Sequence, residues 1–301
     1  MVRAMVLSAG LGTRLRPLTT ELPKALVPIG DRPLAAHIAQ RLFEASFSEI
    51  VMNTHHLSEI FPTEVNGFPV KVHLIHEAEI RGTAGGIAGA RGLLRPAPIV
   101  VWNADILADP PIHELLAGAT PGVLCLAVAE RPCSEGTLGL DANGRVVRLR
   151  GRTFGVEASG GDYIGVAALG REVLEALPAK GCLIGDVAIP RLARGELVTA
   201  VKTEAPWRDV GSLSEYLAAN FEWLRAAHGP CASWVHPTAR VSASVRLDRC
   251  IVGAGAVVSG SGVVARSVVW PRAQAHAPLA NAVVTQFGVA QTWPAVPPGV
   301  T

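Results

Sequence analysis

The sequence predicts an α/β protein: a mostly parallel sheet covered by helices, followed by a short left-handed parallel β-helix. Three observations carry this prediction. Short apolar runs alternate with helical patterns over residues 4–130. A capped helix ending near residue 228 closes that part. Beyond Pro230 aliphatic residues recur every six positions, with small residues and glycine between them.

The elements follow in order. Residues 4–8 form a short apolar run that ends in a glycine-containing loop, as suits a buried parallel strand. Residues 33–45 carry Leu34, Ile38 and Leu42 on one helical face. Residues 49–53, 70–76 and 99–103 read as further strands, and residues 83–94 as a helix of small side chains. Residues 123–130 and 146–149 are strand-like within a less regular stretch, with Asn143-Gly144 as a turn. Residues 212–227 form a helix opened by the box Ser212…Glu215 and stopped by Gly229.

The six-residue beat has two registers. Val235, Val241 and Leu247 form the first, and Ile251, Val257, Val263 and Val269 the second. Each is expected to point into a narrow triangular core. The expected domains are therefore residues 1–228, residues 229–290 as the β-helix, and a Pro-rich, loosely ordered tail over residues 291–301.

Composition narrows the function. Hydrophobic residues make up 49% of the chain, enough for a substantial core. The 27 basic and 25 acidic residues nearly balance, which argues against a nucleic-acid surface. The five cysteines show no C-x-x-C spacing, so small buried thiols in a reducing compartment are expected rather than zinc or disulfides. Residues 1–10 lack the features of a signal peptide, and no apolar stretch is long enough to span a bilayer. A cytoplasmic protein with no nucleic-acid or membrane partner is expected.

The chemistry concentrates in Leu7 to Pro28, L-S-A-G-L-G-T-R-L-R-P-L-T-T-E-L-P-K-A-L-V-P. The loop after the first strand offers backbone N–H groups at Ala9, Gly10, Gly12 and Thr13, and the glycines let an anion approach closely. Arg14, Arg16 and Lys24 add three positive charges. The pattern is neither G-x-G-x-x-G nor a P-loop. Open α/β sheets bind ligands at this end of the first strand.

This stretch resembles the signature G-x-G-T-R-x-x-P-x-T followed by P-K of the sugar-1-phosphate nucleotidyltransferases, and the resemblance extends over residues 1 to about 228. With the hexad tail it is most similar to the mannose-1-phosphate guanylyltransferases that carry such an extension. The resemblance implies a Rossmann-like domain that joins a nucleoside triphosphate to a sugar 1-phosphate and releases pyrophosphate. It implies Arg14 and Lys24 as catalytic residues, with Lys24 also on the sugar phosphate. Asp105, just after the strand at residues 99–103, and Asp209, in Trp207-Arg208-Asp209-Val210-Gly211, would hold Mg²⁺. The segment Glu77-Ala78-Glu79-Ile80-Arg81-Gly82-Thr83 resembles the stretch that cradles the base, so Glu77, Gly82 and Thr83 are candidate nucleotide contacts.

Many relatives carry E-K-P, whose lysine holds the sugar phosphate. Here the region reads Leu149-Arg150-Gly151-Arg152-Thr153, leaving Arg150 or Arg152 to substitute, or the phosphate to rest on Lys24 alone. Gly165 and Asp186 fall where relatives line the sugar pocket. GTP is the favoured nucleotide, with GDP-mannose as product. Glu77 suits the two adjacent N–H donors of guanine, yet the missing lysine is shared with shorter uridylyltransferases acting on N-acetylmuramate 1-phosphate, so UTP stands next. A non-catalytic nucleotide-sugar-binding regulator, an acyltransferase in the β-helix and a homo-oligomer built through it are further readings.

Overall fold

The computed structural model describes residues 3–291. Of the expected tail, Gln291 ends a strand and the remainder lies outside the described residues. The chain forms two compact units. One comprises Met1–Leu11, Pro23–Ala25 and Ala35–Asp209, the other Gly12–Leu22, Leu26–Leu34 and Val210–Thr301.

The first unit is built on a ten-stranded sheet. Strands β1 (Ala4–Leu7), β2 (Glu49–Thr54), β3 (Lys71–His76) and β4 (Ile99–Asn103) run parallel in the order β3-β2-β1-β4. The apolar runs of β1, β2 and β4 are buried, as strands covered on both faces must be. The order steps outward from β1 to β3, then returns to its other side with β4. That reversal opens a crevice beyond the strands' C-terminal ends. A short strand β5 (Ile106–Leu107) follows β4. The sheet continues through β6 (Leu124–Arg131), β7 (Leu138–Leu140), β8 (Val146–Leu149), β9 (Arg152–Thr153), β10 (Ser159–Leu169) and β11 (Val198–Thr203). β10 is antiparallel to β4, and β11 is parallel to β6, so the sheet is mixed although its nucleus is parallel. Helix α1 (Leu34–Glu44) enters this unit at Ala35, and α2 (Gly82–Ala90) and α3 (Ile112–Gly118) lie within it. The last strand, β12 (Arg208–Asp209), pairs antiparallel with β5.

In the second unit, helix α4 (Leu213–His228) starts as its sequence dictates: Ser212 Oγ accepts the Glu215 N–H at 3.3 Å. A two-residue hairpin, Pro28–Ile29 with Arg32–Pro33, packs on it. Gly30 N–H donates to Asn220 Oδ1 (2.9 Å), Tyr216 donates its hydroxyl to Pro28 O (2.6 Å), and Trp270 Nε1–H donates to the Tyr216 oxygen (2.8 Å). Burial pushes the Tyr216 hydroxyl far above its ordinary pKa, so it remains a neutral link in that chain.

Residues 234–284 form a coil of parallel rungs. Trp234 pairs with Ile251 and Ile251 with Val268, while Arg240 pairs with Val257 and Val257 with Gln274, each partner lying 17 positions further along. The hexad period is present and Ile251 and Val269 are buried as expected (1% exposed each), but a second buried stripe runs one residue later. Val252 (0% exposed), Val258, Val264 and Trp270 are buried six apart, whereas Val257 is 38% exposed and Val235 37%. Cys250 and Ala256 fill the buried positions between them. A one-residue slip on an extended chain exchanges the two faces, and a run as uniformly aliphatic as Ile251-Val252 or Val263-Val264 leaves the choice to packing. The expectation of small buried thiols holds for Cys125 and Cys250, but Cys133 and Cys231 are exposed.

Candidate active site

A cavity of about 230 Å³ opens at the C-terminal ends of the four parallel strands, with Ser8, Asn53, Glu77 and Asn103 on its walls, each from or just beyond a different strand. Ala9 and Gly10 form one rim, and no neighbouring atom approaches within 4 Å of where a Cβ on Gly10 would sit, so the backbone there is open to a ligand.

Lys24 and Asp105 line the same cavity. Lys24 Nζ donates to Asp105 Oδ2 at 2.6 Å and lies 3.7 Å from Asp209 Oδ1. The β5–β12 ladder brings the two carboxylates together, since Asp209 pairs with Ile106, the residue after Asp105. The structure therefore unites three of the sequence-expected residues around one cation, the lysine ammonium. Their donor set is two hard carboxylate oxygens. Among the described residues no group of three or more His, Cys, Asp or Glu side chains gathers in one place. A divalent ion held here would take two protein carboxylates and complete its shell with phosphate oxygens and water, a pattern that fits a small hard cation.

Glu77 is 2% exposed. Its Oε1 accepts Asn53 Nδ2–H (2.7 Å) and its Oε2 accepts the Arg81 N–H (3.0 Å). Asn53 Oδ1 in turn accepts the Ser8 N–H at 2.8 Å. Helix α2 begins beside this network. Gly82 is left-handed (φ +74°), and a Cβ on it would come within 2.5 Å of Gly181 O. Thr83 Oγ1 accepts the Leu183 N–H at 2.7 Å. Gly82 and Thr83 thus line the cavity while gripping the segment 181–183.

Asp186, on the helical turn Leu183–Ala188, accepts the Cys182 N–H at 2.7 Å. Burial acts to raise the Cys182 thiol, but the N–H groups of Gly185 and Ile184, the Arg150 guanidinium and the Thr83 hydroxyl outweigh it and hold the thiol below its ordinary pKa. Arg150 Nη2 is 3.7 Å from Cys182 Sγ. Arg152 is exposed on the β8–β9 hairpin at the sheet edge, so Arg150 is the arginine of this pair that reaches the 182–185 turn. Gly165 interrupts β10 at φ +76°, where a Cβ would meet Ile106 Cγ1 at 2.8 Å and Asn103 Nδ2 at 3.0 Å. Gly12, Thr13 and Arg14 belong to the second unit, where Thr19 Oγ1–H donates to Gly12 O at 2.8 Å and Arg14 is exposed in a short 3-10 turn, Thr13–Leu15.

Asn53 and Asn103 escaped the sequence reading. Their signal was present: each is a polar residue at or next to the C-terminal end of a parallel strand, directly after an apolar run, where ligands are met.

Comparison with known proteins shows which family this fold belongs to. The mannose-1-phosphate guanylyltransferase catalytic subunit beta of Xenopus tropicalis is 25% identical over 245 residues, covering 78% of this chain and 68% of that one. A probable mannose-1-phosphate guanylyltransferase 1 of Oryza sativa is 26% identical, covering 89% and 86%. The mannose-1-phosphate guanyltransferase of Schizosaccharomyces pombe is 29% identical, covering 74% and 64%. Among solved structures, HddC from Yersinia pseudotuberculosis complexed with GMP-PN superposes with a TM-score of 0.62 at 24% identity, over 74% of this chain and all of that one, which shows a shared fold. The family model described as nucleotidyl transferase matches residues 3–225, and the chain belongs to that family.

Proposed function

We propose that the protein is a mannose-1-phosphate guanylyltransferase, forming GDP-mannose and pyrophosphate from GTP and mannose 1-phosphate with Mg²⁺. The observation that carries the reading is the meeting of Lys24, Asp105 and Asp209 at the rim of a strand-end cavity, in a chain similar to several guanylyltransferases.

Both reactants are polyanions, so the reaction needs positioning and charge neutralisation more than acid–base chemistry. The sugar phosphate oxygen attacks the α-phosphorus, the bond from the α-phosphorus to the bridging oxygen of the β-phosphate breaks, and pyrophosphate leaves with its electron pair. Lys24 brings a positive charge to the sugar phosphate and α-phosphate. The open backbone at Gly10 would supply an N–H donor to the triphosphate, with Ala9, Gly12, Thr13 and Arg14 assigned to the same task from the sequence signature. Asp105 and Asp209 would hold Mg²⁺, which would supply further positive charge to the phosphates. Gly82 and Thr83 are assigned to the nucleotide, Glu77, whose two oxygens accept from Asn53 and Arg81, to the frame behind them, and Arg152, Gly165 and Asp186, together with Arg150, to the sugar phosphate.

The same reading takes residues 1–228 as the catalytic domain and 229–290 as a left-handed coil through which copies associate; the exposed Val257, Phe287 and Val289 offer apolar contacts there. It places the protein in the cytoplasm, in keeping with five free cysteines and with the lack, among the described residues, of any helix long and apolar enough to cross a membrane.

The test is pyrophosphate release with Mg²⁺, each common triphosphate and a panel of sugar 1-phosphates, followed by competition between equal GTP and UTP. GTP with mannose 1-phosphate is the expected pair. A clear preference for UTP would replace the base and leave the reaction class standing; no release with any pair would overturn the whole reading.

A further inference from the structure

We propose that Asn53 and Glu77 are positioning residues: a buried polar strut that sets the spacing between the phosphate-binding loop after β1 and the N-terminus of α2. The proposal rests on the nucleotidyl-transfer reading of this cavity and adds what holds its two walls in register.

The strut converges on the Glu77 carboxylate, which accepts from both sides. Ser8 N–H donates to Asn53 Oδ1, Asn53 Nδ2–H donates to Glu77 Oε1, and Arg81 N–H donates to Glu77 Oε2, at 2.8, 2.7 and 3.0 Å. Its ends are backbone groups immediately before Ala9-Gly10 on one side and Gly82-Thr83 on the other, the two walls of the cavity. Every member is fixed elsewhere as well. Ser8 Oγ–H donates to Asn53 O (2.6 Å), Glu77 N–H donates to Thr54 O (2.8 Å), and His55 Nδ1–H donates to Glu77 O (2.8 Å). Both side chains are almost fully buried, Asn53 at 3% and Glu77 at 2%. Helix α2 leaves them only a glycine-sized gap, because a Cβ on Gly86 would lie 2.7 Å from Asn53 Nδ2 and 3.0 Å from Glu77 Oε1.

Donor and acceptor chemistry makes the sequence of atoms unique. The Ser8 N–H demands an acceptor, which fixes the Asn53 amide and aims its NH₂ at Glu77. Both Glu77 oxygens must then accept. In Glu77→Gln an NH₂ faces either Asn53 Nδ2 or the Arg81 N–H, and one buried donor meets another whichever way the amide turns. In Asn53→Asp a second carboxylate faces Glu77 where the amide stood. The double variant Asn53→Asp/Glu77→Gln restores every bond with one of them reversed. The carboxylate introduced at position 53 accepts from the Ser8 N–H and from the NH₂ introduced at position 77, and the carbonyl oxygen of that new amide accepts from the Arg81 N–H. One negative charge remains in the network, as in the parent.

The experiment compares the parent, both single variants and the double variant by KM for each substrate, kcat and Tm. Each single variant should raise KM for GTP about tenfold or more, the scale of one buried polar group left unpaired, while KM for mannose 1-phosphate stays within about twofold. The double variant should return KM for GTP to within about threefold of the parent and recover most of the lost Tm, a coupling that independent sites do not show. Additive losses in the double variant, or single variants indistinguishable from the parent, overturn the strut. So does a Glu77→Gln variant that loses the choice between GTP and UTP and does not regain it when Asn53→Asp is added, for that outcome makes Glu77 a reader of the base. The Tm coupling is measured without substrate. It therefore tests the strut even where the parent turns over no substrate pair, the outcome that would overturn the proposed function alone.

Discussion

Lys24 Nζ lies 2.6 Å from Asp105 Oδ2 although 81 residues separate them, and the same ammonium is 3.7 Å from Asp209 Oδ1. The lysine side chain is only 13% exposed, so this charge is held among carboxylates rather than dissolved in solvent. In the proposed reaction this cation would serve the phosphates, and the two acids beside it are the ones assigned to the metal ion.

Asp105→Asn and Asp209→Asn should each raise the Mg²⁺ concentration needed for half-maximal rate and lower kcat, because an amide oxygen is a poorer ligand for a hard cation than a carboxylate. The check is a Mg²⁺ titration of pyrophosphate release, with an EDTA control that should abolish turnover. Activity that survives chelation would remove both aspartates from the role assigned to them.

Arg14→Ala should lower turnover by about a hundredfold or more, the usual cost of one charge-stabilising donor, while leaving the melting temperature close to that of the parent. Its side chain is exposed and packs no core. Steady-state kinetics and thermal melting together separate the two effects, and near-normal kcat/KM would end the assignment.

The thiols should titrate apart. Cys182 is held below its ordinary pKa, whereas burial pushes Cys250 up to about 11. With the exposed Cys133 and Cys231 replaced by serine, iodoacetamide should modify Cys182 first. Its rate should rise with pH to a midpoint below that of a free thiol measured in parallel, since only the thiolate reacts. Mass spectrometry across a pH series reads the order, and a midpoint at or above that of free cysteine would contradict the local geometry.

The register of the coil predicts a contrast between neighbours. Val258→Ala should destabilise by about 2 kcal/mol through lost burial and a residual cavity, while Val257→Ala should change stability by less than about 0.5 kcal/mol. Denaturant unfolding measures both. Equal effects would mean that the buried stripe runs through neither residue in preference to the other.

Much of this was legible in the chain. The strands at residues 99–103 and 146–149 fall where their apolar runs begin and end, and the Ser212 cap is where its box places it, because these depend on local pattern and short-range hydrogen bonds. The glycine-containing loop after β1 and the charge of Lys24 were legible from residue type, and both aspartates from the resemblance of their short segments to a known family. What the sequence left undecided turns on contacts between distant segments. Whether Val257 or Val258 faces inward depends on rungs 17 residues apart, and both are equally apolar. Glu77 reads as an exposed carboxylate awaiting a base until β2 and β3 lie side by side and Asn53 claims one of its oxygens. Arg150 and Arg152 are alike on paper, and only the β8–β9 hairpin aims the first at the 182–185 turn and leaves the second at the edge. Local propensity therefore determined the elements and the chemical inventory. The tertiary structure decided which side chains meet, because hydrogen bonding and burial act at the few ångströms that only the folded chain can create.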